Sequence, residues 1–137
     1  IIFMKRNVLL MVVSLFAMMA LAQTKVKDHV EVMYFHGKQR CVTCRAIEKH
    51  AHDVVEKDFA NELKNGKVVF KVVDISTAEG AKIATRFRVN WSSLYVNGWK
   101  GGKEERNDMT QFAFKNARNN ADEFKKGVRA KINELLK

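Results

Sequence analysis

No proline occurs anywhere in the 137 residues, so a proline-fixed turn or kink is excluded, and so is a cis X–Pro bond. Cysteine is almost as scarce. Cys41 and Cys44 are the only two, too few for a four-thiolate zinc site. No G-x-G-x-x-G run is present, which removes the usual signature of a dinucleotide cofactor. Internal repeats and linker-like stretches are also missing. One long apolar run exists, Val8 to about Leu21, and it is too short for a comfortable membrane span.

What is present suits one domain. Hydrophobic residues make up 47% of the chain, too many for a disordered composition. Met4-Lys5-Arg6, the apolar run and Ala20-Leu21-Ala22 follow one another. A positive start, an apolar middle and a small-residue cleavage pattern are the layout of a secretory signal peptide. The expected division is therefore a signal peptide at 1–22, a flexible segment at 23–29 and a folded domain at 30–137, exported to the periplasm. With no cysteine at the cleavage point, a lipid anchor is not expected.

The formal charge is +10. Without Lys5 and Arg6 the balance is 23 bases against 15 acids, or +8. These bases are spread along the chain with no aromatic stacking motif among them, so no nucleic-acid surface is expected. The charge reads as a solvated face that suits acidic or membrane-proximal partners.

Val30 to Phe35 is apolar and β-favouring and predicts a strand. From Cys41 the period changes. Cys44, Ile47, Ala51, Val54, Val55, Phe59 and Leu63 fall on one helical stripe, and Asn65-Gly66 stops that helix. Lys67 to Ile75, "KVVFKVVDI", predicts a central strand buried on both faces. Ser76 or Thr77 caps a second helix with Ala81, Ile83, Ala84 and Phe87 inward. Ser92 to Val96 predicts a strand. Asn97-Gly98 and Gly101-Gly102 are turn signals, and Lys103 to Arg106 returns as a polar edge strand. Asp108 with Gln111, and Asn120 with Glu123, resemble capping boxes. The last segment is thus two helices or one bent one, with Phe124, Val128, Ile132 and Leu135 inward.

The two cysteines stand in "QRCVTCRAIE", at the predicted start of the first helix. Unpaired N–H groups and the helix dipole favour negative charge there, so Cys41 is favoured as a thiolate, the nucleophilic form. Lys38 and Arg40 add positive charge. Cys44 lies on the same helical face, placed to attack a mixed disulfide at Cys41. Three readings of the pair stay open: thiol redox chemistry, metal binding and a structural disulfide.

This order of elements around Cys-x-x-Cys resembles the thioredoxin fold in its minimal form, from about Val30 to Leu136. The resemblance implies an α/β fold in the order βαβαββα, with a four-stranded mixed sheet flanked by helices. It implies an exposed attacking Cys41, a buried resolving Cys44 and a protein disulfide as substrate. It also implies no cofactor beyond the Cys41–Cys44 disulfide, and a monomer is expected. The intervening Val42-Thr43 lacks the histidine of strong oxidants and leans toward a reductant. Aligning "WSSLYV" puts Ser92, or with other spacing Ser93, where thioredoxins carry a cis-proline. Trp91 precedes that position and is expected to shape the substrate groove. Tyr34 falls near the buried acid of thioredoxins, so proton handling must differ. With no proline to keep metals away, Cys41, Cys44 and His36 could together hold a soft ion such as Cu(I), as in copper-delivery proteins of this fold.

"YFHGKQRCVTCRAIE" and "NWSSLYVNGW" are similar to a closer group. It is the bacterial exported thioredoxin-like family named for a nitrophenyl-compound nitroreductase subunit, also called the arsenical-resistance F family. That resemblance implies a membrane thiol-electron transporter as reductant. The nitroreductase name finds little support in the residues themselves, and an arsenical-binding role is the alternative. Among other residues, His36 is a tuning or ligand candidate. His29, His50 and His52 are expected at the surface. Trp99 is expected to cover the sheet edge, with Phe112 and Phe114 at the core and rim of the last helix.

Overall fold

The computed structural model describes residues 26–137. The expected signal peptide at 1–22 lies outside the described residues. The elements run β1 (His29–His36), α1 (Val42–Asp58), α2 (Ala60–Asn65), β2 (Val68–Asp74), α3 (Ala78–Phe87), β3 (Ser93–Lys100), β4 (Lys103–Glu105), α4 (Thr110–Asn116) and α5 (Ala121–Leu136). The sheet order is β2-β1-β3-β4. β1 runs parallel to β2 and antiparallel to β3, which is antiparallel to β4. This is the four-stranded mixed sheet expected of a minimal thioredoxin-like fold.

Alternation along β1 builds two cores. Val30, Val32 and Tyr34 face α1, α4 and α5, where they meet Ile47, Val54, Ala113, Phe124, Val128 and Ile132. Met33 and Phe35 face α3, with Val73, Ala84 and Phe87. The helices thus cover both faces of the sheet, and β1 is an inner strand, paired with β2 on one edge and β3 on the other.

Four local expectations need correction. β2 is not central but lies at the edge of the sheet, with Lys71 and Val72 exposed. Its β-branched run reports strand propensity, which says nothing about strand order. The first helix is not continuous. It breaks at Phe59 (φ −127°, ψ 35°), and Leu63 beyond the break is 38% exposed rather than in the stripe. Asn97-Gly98 is not a turn but lies within β3, and Gly101 and Gly102 make the turn at positive φ. Gly98 instead lets α5 approach closely, since a Cβ there would stand 3.0 Å from the tip of the Leu135 side chain. Finally, the C-terminal segment is two helices without capping boxes. Neither Met109 nor Asn120 makes a side-chain cap, and Asp108 accepts the Thr110 N–H instead.

The histidines are also more enclosed than expected. His50 is half-buried against Phe124. Burial, together with Lys125 and Lys49 nearby, holds its pKa below the usual histidine range. His52 is half-buried against Phe70 and pairs with Glu56. His29 opens β1, stacks on Trp99 and hydrogen-bonds Glu31.

α3 does have its expected cap. The Thr77 side chain accepts the Gly80 N–H at 3.0 Å, satisfying one of the donors a helix leaves free at its start. Thr77→Ala is expected to cost about 1 kcal/mol, read as a lowered urea midpoint at unchanged slope.

On the part of the sheet beyond α3, Glu31 is buried and takes hydrogen bonds from Lys71 at 3.0 Å and His29 at 2.9 Å. Burial pushes the Glu31 carboxyl up, but those hydrogen bonds and charges outweigh it and leave the pKa below the usual glutamate value. A depressed folded-state pKa contributes stability above the unfolded value, lost as pH falls through the folded one. Glu31→Gln should therefore lower stability at neutral pH by about 1 kcal/mol, a modest figure because Lys71 is half-exposed. The deficit should vanish in strong acid, where denaturation curves of the two proteins should converge.

Candidate active site

Cys41 is the N-cap of α1, in extended conformation at φ −72° and ψ 166°. Its sulfur accepts the Cys44 backbone N–H at 3.0 Å, where serine or aspartate oxygens usually serve. The first turn of α1 carries no acidic residue to oppose negative charge on that sulfur. Cys41 is exposed, whereas Cys44, on the inner face of the helix, is 5% exposed. The two are joined as a disulfide with Cα atoms 5.0 Å apart. One sulfur can thus reach a partner, and the other can reach only the first.

The disulfide opens on a cleft lined by Gly37, Gln39, Arg40, Ile75, Asn90, Trp91 and Ser92. Register decides between the two serines. Tyr34 pairs with Leu94 and Phe35 with Ser93, so Ser93 faces the α3 side, while Ser92 shares the α1 side with Tyr34 and the cysteines. Ser93 donates its hydroxyl to the Trp91 carbonyl. No cis peptide occurs among the described residues, so the bond before Ser92 is trans. Trp91 is 58% exposed and stacks on Phe114, and Val42 is 60% exposed beside Cys41. Apolar groups therefore flank the exposed sulfur.

The cations near the site are arranged differently from simple point charges. Lys38 is exposed in the loop. Arg40 donates to Glu48 at 2.8 Å and to His36 Nε2 at 2.6 Å. Because Arg can only donate, His36 Nε2 accepts, and its Nδ1 donates to the Gly37 carbonyl at 2.9 Å. Both ring nitrogens of His36 are thus engaged, and the side chain is buried. Among the described residues no three His, Cys, Asp or Glu side chains stand together as metal ligands.

The structure also brings in two residues that the sequence left out of the site. Glu48, outside the apolar stripe of α1, pairs with Arg40 at 2.8 Å. Its signal was available, since it lies one turn after Cys44 at i+4. Phe114 supports Trp91 from α4, a contact with no local sequence sign. A second concavity, lined by Gly98, Lys100, Lys103, Glu104, Glu105, Glu134 and Leu135, holds neither cysteine.

No protein-family model and no curated protein matches the chain. Among solved structures it is similar to a thioredoxin from Thermus thermophilus, at 21% identity and TM-score 0.47, covering 74% of this chain and 72% of that one. It is similar to a malarial protein at 20% identity and TM-score 0.43, covering 72% and 96%. It is also similar to the zinc-bound form of human ERp44 at 24% identity and TM-score 0.41, covering 72% of this chain but 26% of that one. These likenesses are distant. The fold rests on the chain's own strand order, with its parallel β1–β2 pair and antiparallel β3–β4 hairpin.

Proposed function

We propose that the protein is an exported thiol–disulfide oxidoreductase acting as a dithiol reductant or electron relay toward protein disulfides. One observation carries this reading. An exposed cysteine caps a helix and accepts a backbone N–H, with a buried cysteine one turn behind it. In the reduced protein the Cys41 thiolate attacks a substrate sulfur, the substrate S–S bond breaks, and one substrate thiolate leaves. Cys44 then loses its proton and attacks Cys41 Sγ. The Cys41–Cys44 bond re-forms, the second substrate thiolate departs, and two electrons have passed to the substrate. Arg40, Lys38 and the helix N-terminus favour the attacking thiolate, His36 positions Arg40, and Trp91, Ser92 and the backbone to Ser93 form the groove.

The wider setting belongs to the same proposal. The leader-like N-terminus favours the periplasm, and a membrane thiol-electron transporter is the reductant that the resemblance to the arsenical-resistance F family suggests. The copper or arsenical reading is the less favoured, because a ring nitrogen of His36 would have to give up its hydrogen bond with Arg40 or with the Gly37 carbonyl to become a third ligand. The test is reduction of a protein disulfide by the reduced protein, with metal content measured on the same preparation. Catalytic turnover by metal-poor protein is expected. No turnover, with stoichiometric copper or zinc bound, would overturn the reading.

A further inference from the structure

Tyr34 presents a buried polar atom with nothing to do in the disulfide form. Its ring is fully buried, and among the described residues its hydroxyl has no hydrogen-bond partner. An unpaired buried hydroxyl is destabilising, and phenylalanine would fill the same space without it. The hydroxyl lies on the cysteine side of the sheet. Tyr34 stands opposite Leu94, and Ser92, just before β3, lines the cleft at that end of the strand pair. Ser92 is close enough to influence the phenol, although no well-formed hydrogen bond joins them, and Glu48 and Arg40 act on it as charges. Ser92 and Arg40 line the same cleft as Cys44. Glu48 is one helical turn beyond Cys44. Tyr34 and Cys44 thus lie on the same face of the sheet, beside the residues that line the cleft.

Cys44 has the complementary deficit. In the oxidised protein its sulfur is bonded to Cys41, and a disulfide sulfur is a weaker acceptor than a thiolate. On reduction by a dithiol the S–S bond takes two electrons. Cys41 keeps its helix-cap hydrogen bond, whereas Cys44 Sγ gains acceptor capacity in a buried position away from the Cys44 N–H, which serves Cys41.

We infer that the Tyr34 hydroxyl is a redox-linked hydrogen-bond donor to Cys44 Sγ, idle in the disulfide form and engaged in the dithiol form. Tyr34 keeps its proton throughout and acts as a positioning residue. The bond stabilises only the reduced state, so Tyr34 raises the reduction potential of the pair. This inference rests on the redox reading above.

The test is Tyr34→Phe, with two readouts. Equilibrated against glutathione, the variant should shift toward the disulfide by about tenfold, close to 30 mV lower in potential. Urea unfolding of the oxidised variant should give stability equal to or above wild type, because no bond is lost in that state. An unchanged potential in the variant, with wild type titrating normally, overturns the inference alone. Equal losses of stability in both redox forms would mean a packing role and also overturn it. A wild-type pair that does not titrate overturns the redox reading and the inference with it. The chain has only two tyrosines, so ultraviolet resonance Raman in a Tyr95→Phe background reads Tyr34 directly without altering it. A change in its hydrogen-bond state on reduction is expected, and no change contradicts the inference.

Discussion

Cys41→Ser is expected to abolish turnover completely, whereas Cys44→Ser should stop it one step later. The difference follows from exposure. Cys41 is exposed at the helix N-cap, and Cys44 is buried one turn behind it. A serine hydroxyl at the cap can still accept the Cys44 N–H, so the fold should survive, but it is no nucleophile toward a disulfide at neutral pH. With Cys41 present and Cys44 replaced, attack proceeds and resolution fails, so the protein should accumulate as a mixed disulfide with its substrate. Non-reducing electrophoresis after mixing reduced variant with a protein disulfide checks this. The adduct should form with Cys44→Ser and not with Cys41→Ser. Adduct from Cys41→Ser alone would reverse the assigned roles, and equal adduct from both would contradict their division.

Gly80→Ala should be the most damaging small change to the fold. Propensity alone predicts the opposite, because alanine is favoured over glycine inside a helix by about 1 kcal/mol. Local geometry reverses the sign. A Cβ at Gly80 would stand 1.8 Å from the Asp74 carbonyl oxygen and 2.9 Å from Thr77 Oγ1. That carbonyl is backbone, held by the Thr77 N–H and hydroxyl at 3.2 and 2.8 Å, so it cannot swing aside as a side-chain tip could. Forcing a methyl group into such a contact gives a net loss of about 3 kcal/mol. The strain would reach the site, because Asp74 is paired with His36, whose carbonyl accepts the Ile75 N–H at 2.9 Å. Urea unfolding checks the magnitude. Stability equal to or above wild type would contradict the packing described for the start of α3.

The parts of this fold that were legible are those set by local sequence. The change of period at Cys41 marked the start of α1, Gly66 marked the end of α2, and the Phe124, Val128, Ile132 and Leu135 stripe marked the inner face of α5. The parts that were not legible depend on what packs against what. The β-branched run of β2 looks central because its propensity is high, yet only pairing with β1 on one side fixes it at the edge. The break at Phe59 has no glycine to announce it, and apolar spacing continues across it. Asn97-Gly98 looked like a turn, but Asn97 is buried, where it donates to the Met33 sulfur and accepts the Asn107 N–H.

The site divides the same way. Cys-x-x-Cys at a helix start is a local signal, and so are the roles it suggests for Cys41 and Cys44. Arg40 was legible as a nearby positive charge but not as a guanidinium shared between Glu48 and His36. That sharing needs the loop to fold back over α1, eight residues on. Ser92 and Ser93 could not be told apart until the pairing of Phe35 with Ser93 fixed which face each serine takes.

The most direct test of the central claim is the equilibrium of the Cys41–Cys44 pair in glutathione and dithiothreitol buffers, on metal-free protein. A single reversible two-electron transition near that of thioredoxin, about −270 mV, is the predicted result and corresponds to a reductant. A pair that stays oxidised under every buffer, or one that cannot be re-oxidised without losing structure, would contradict a redox role for the two cysteines.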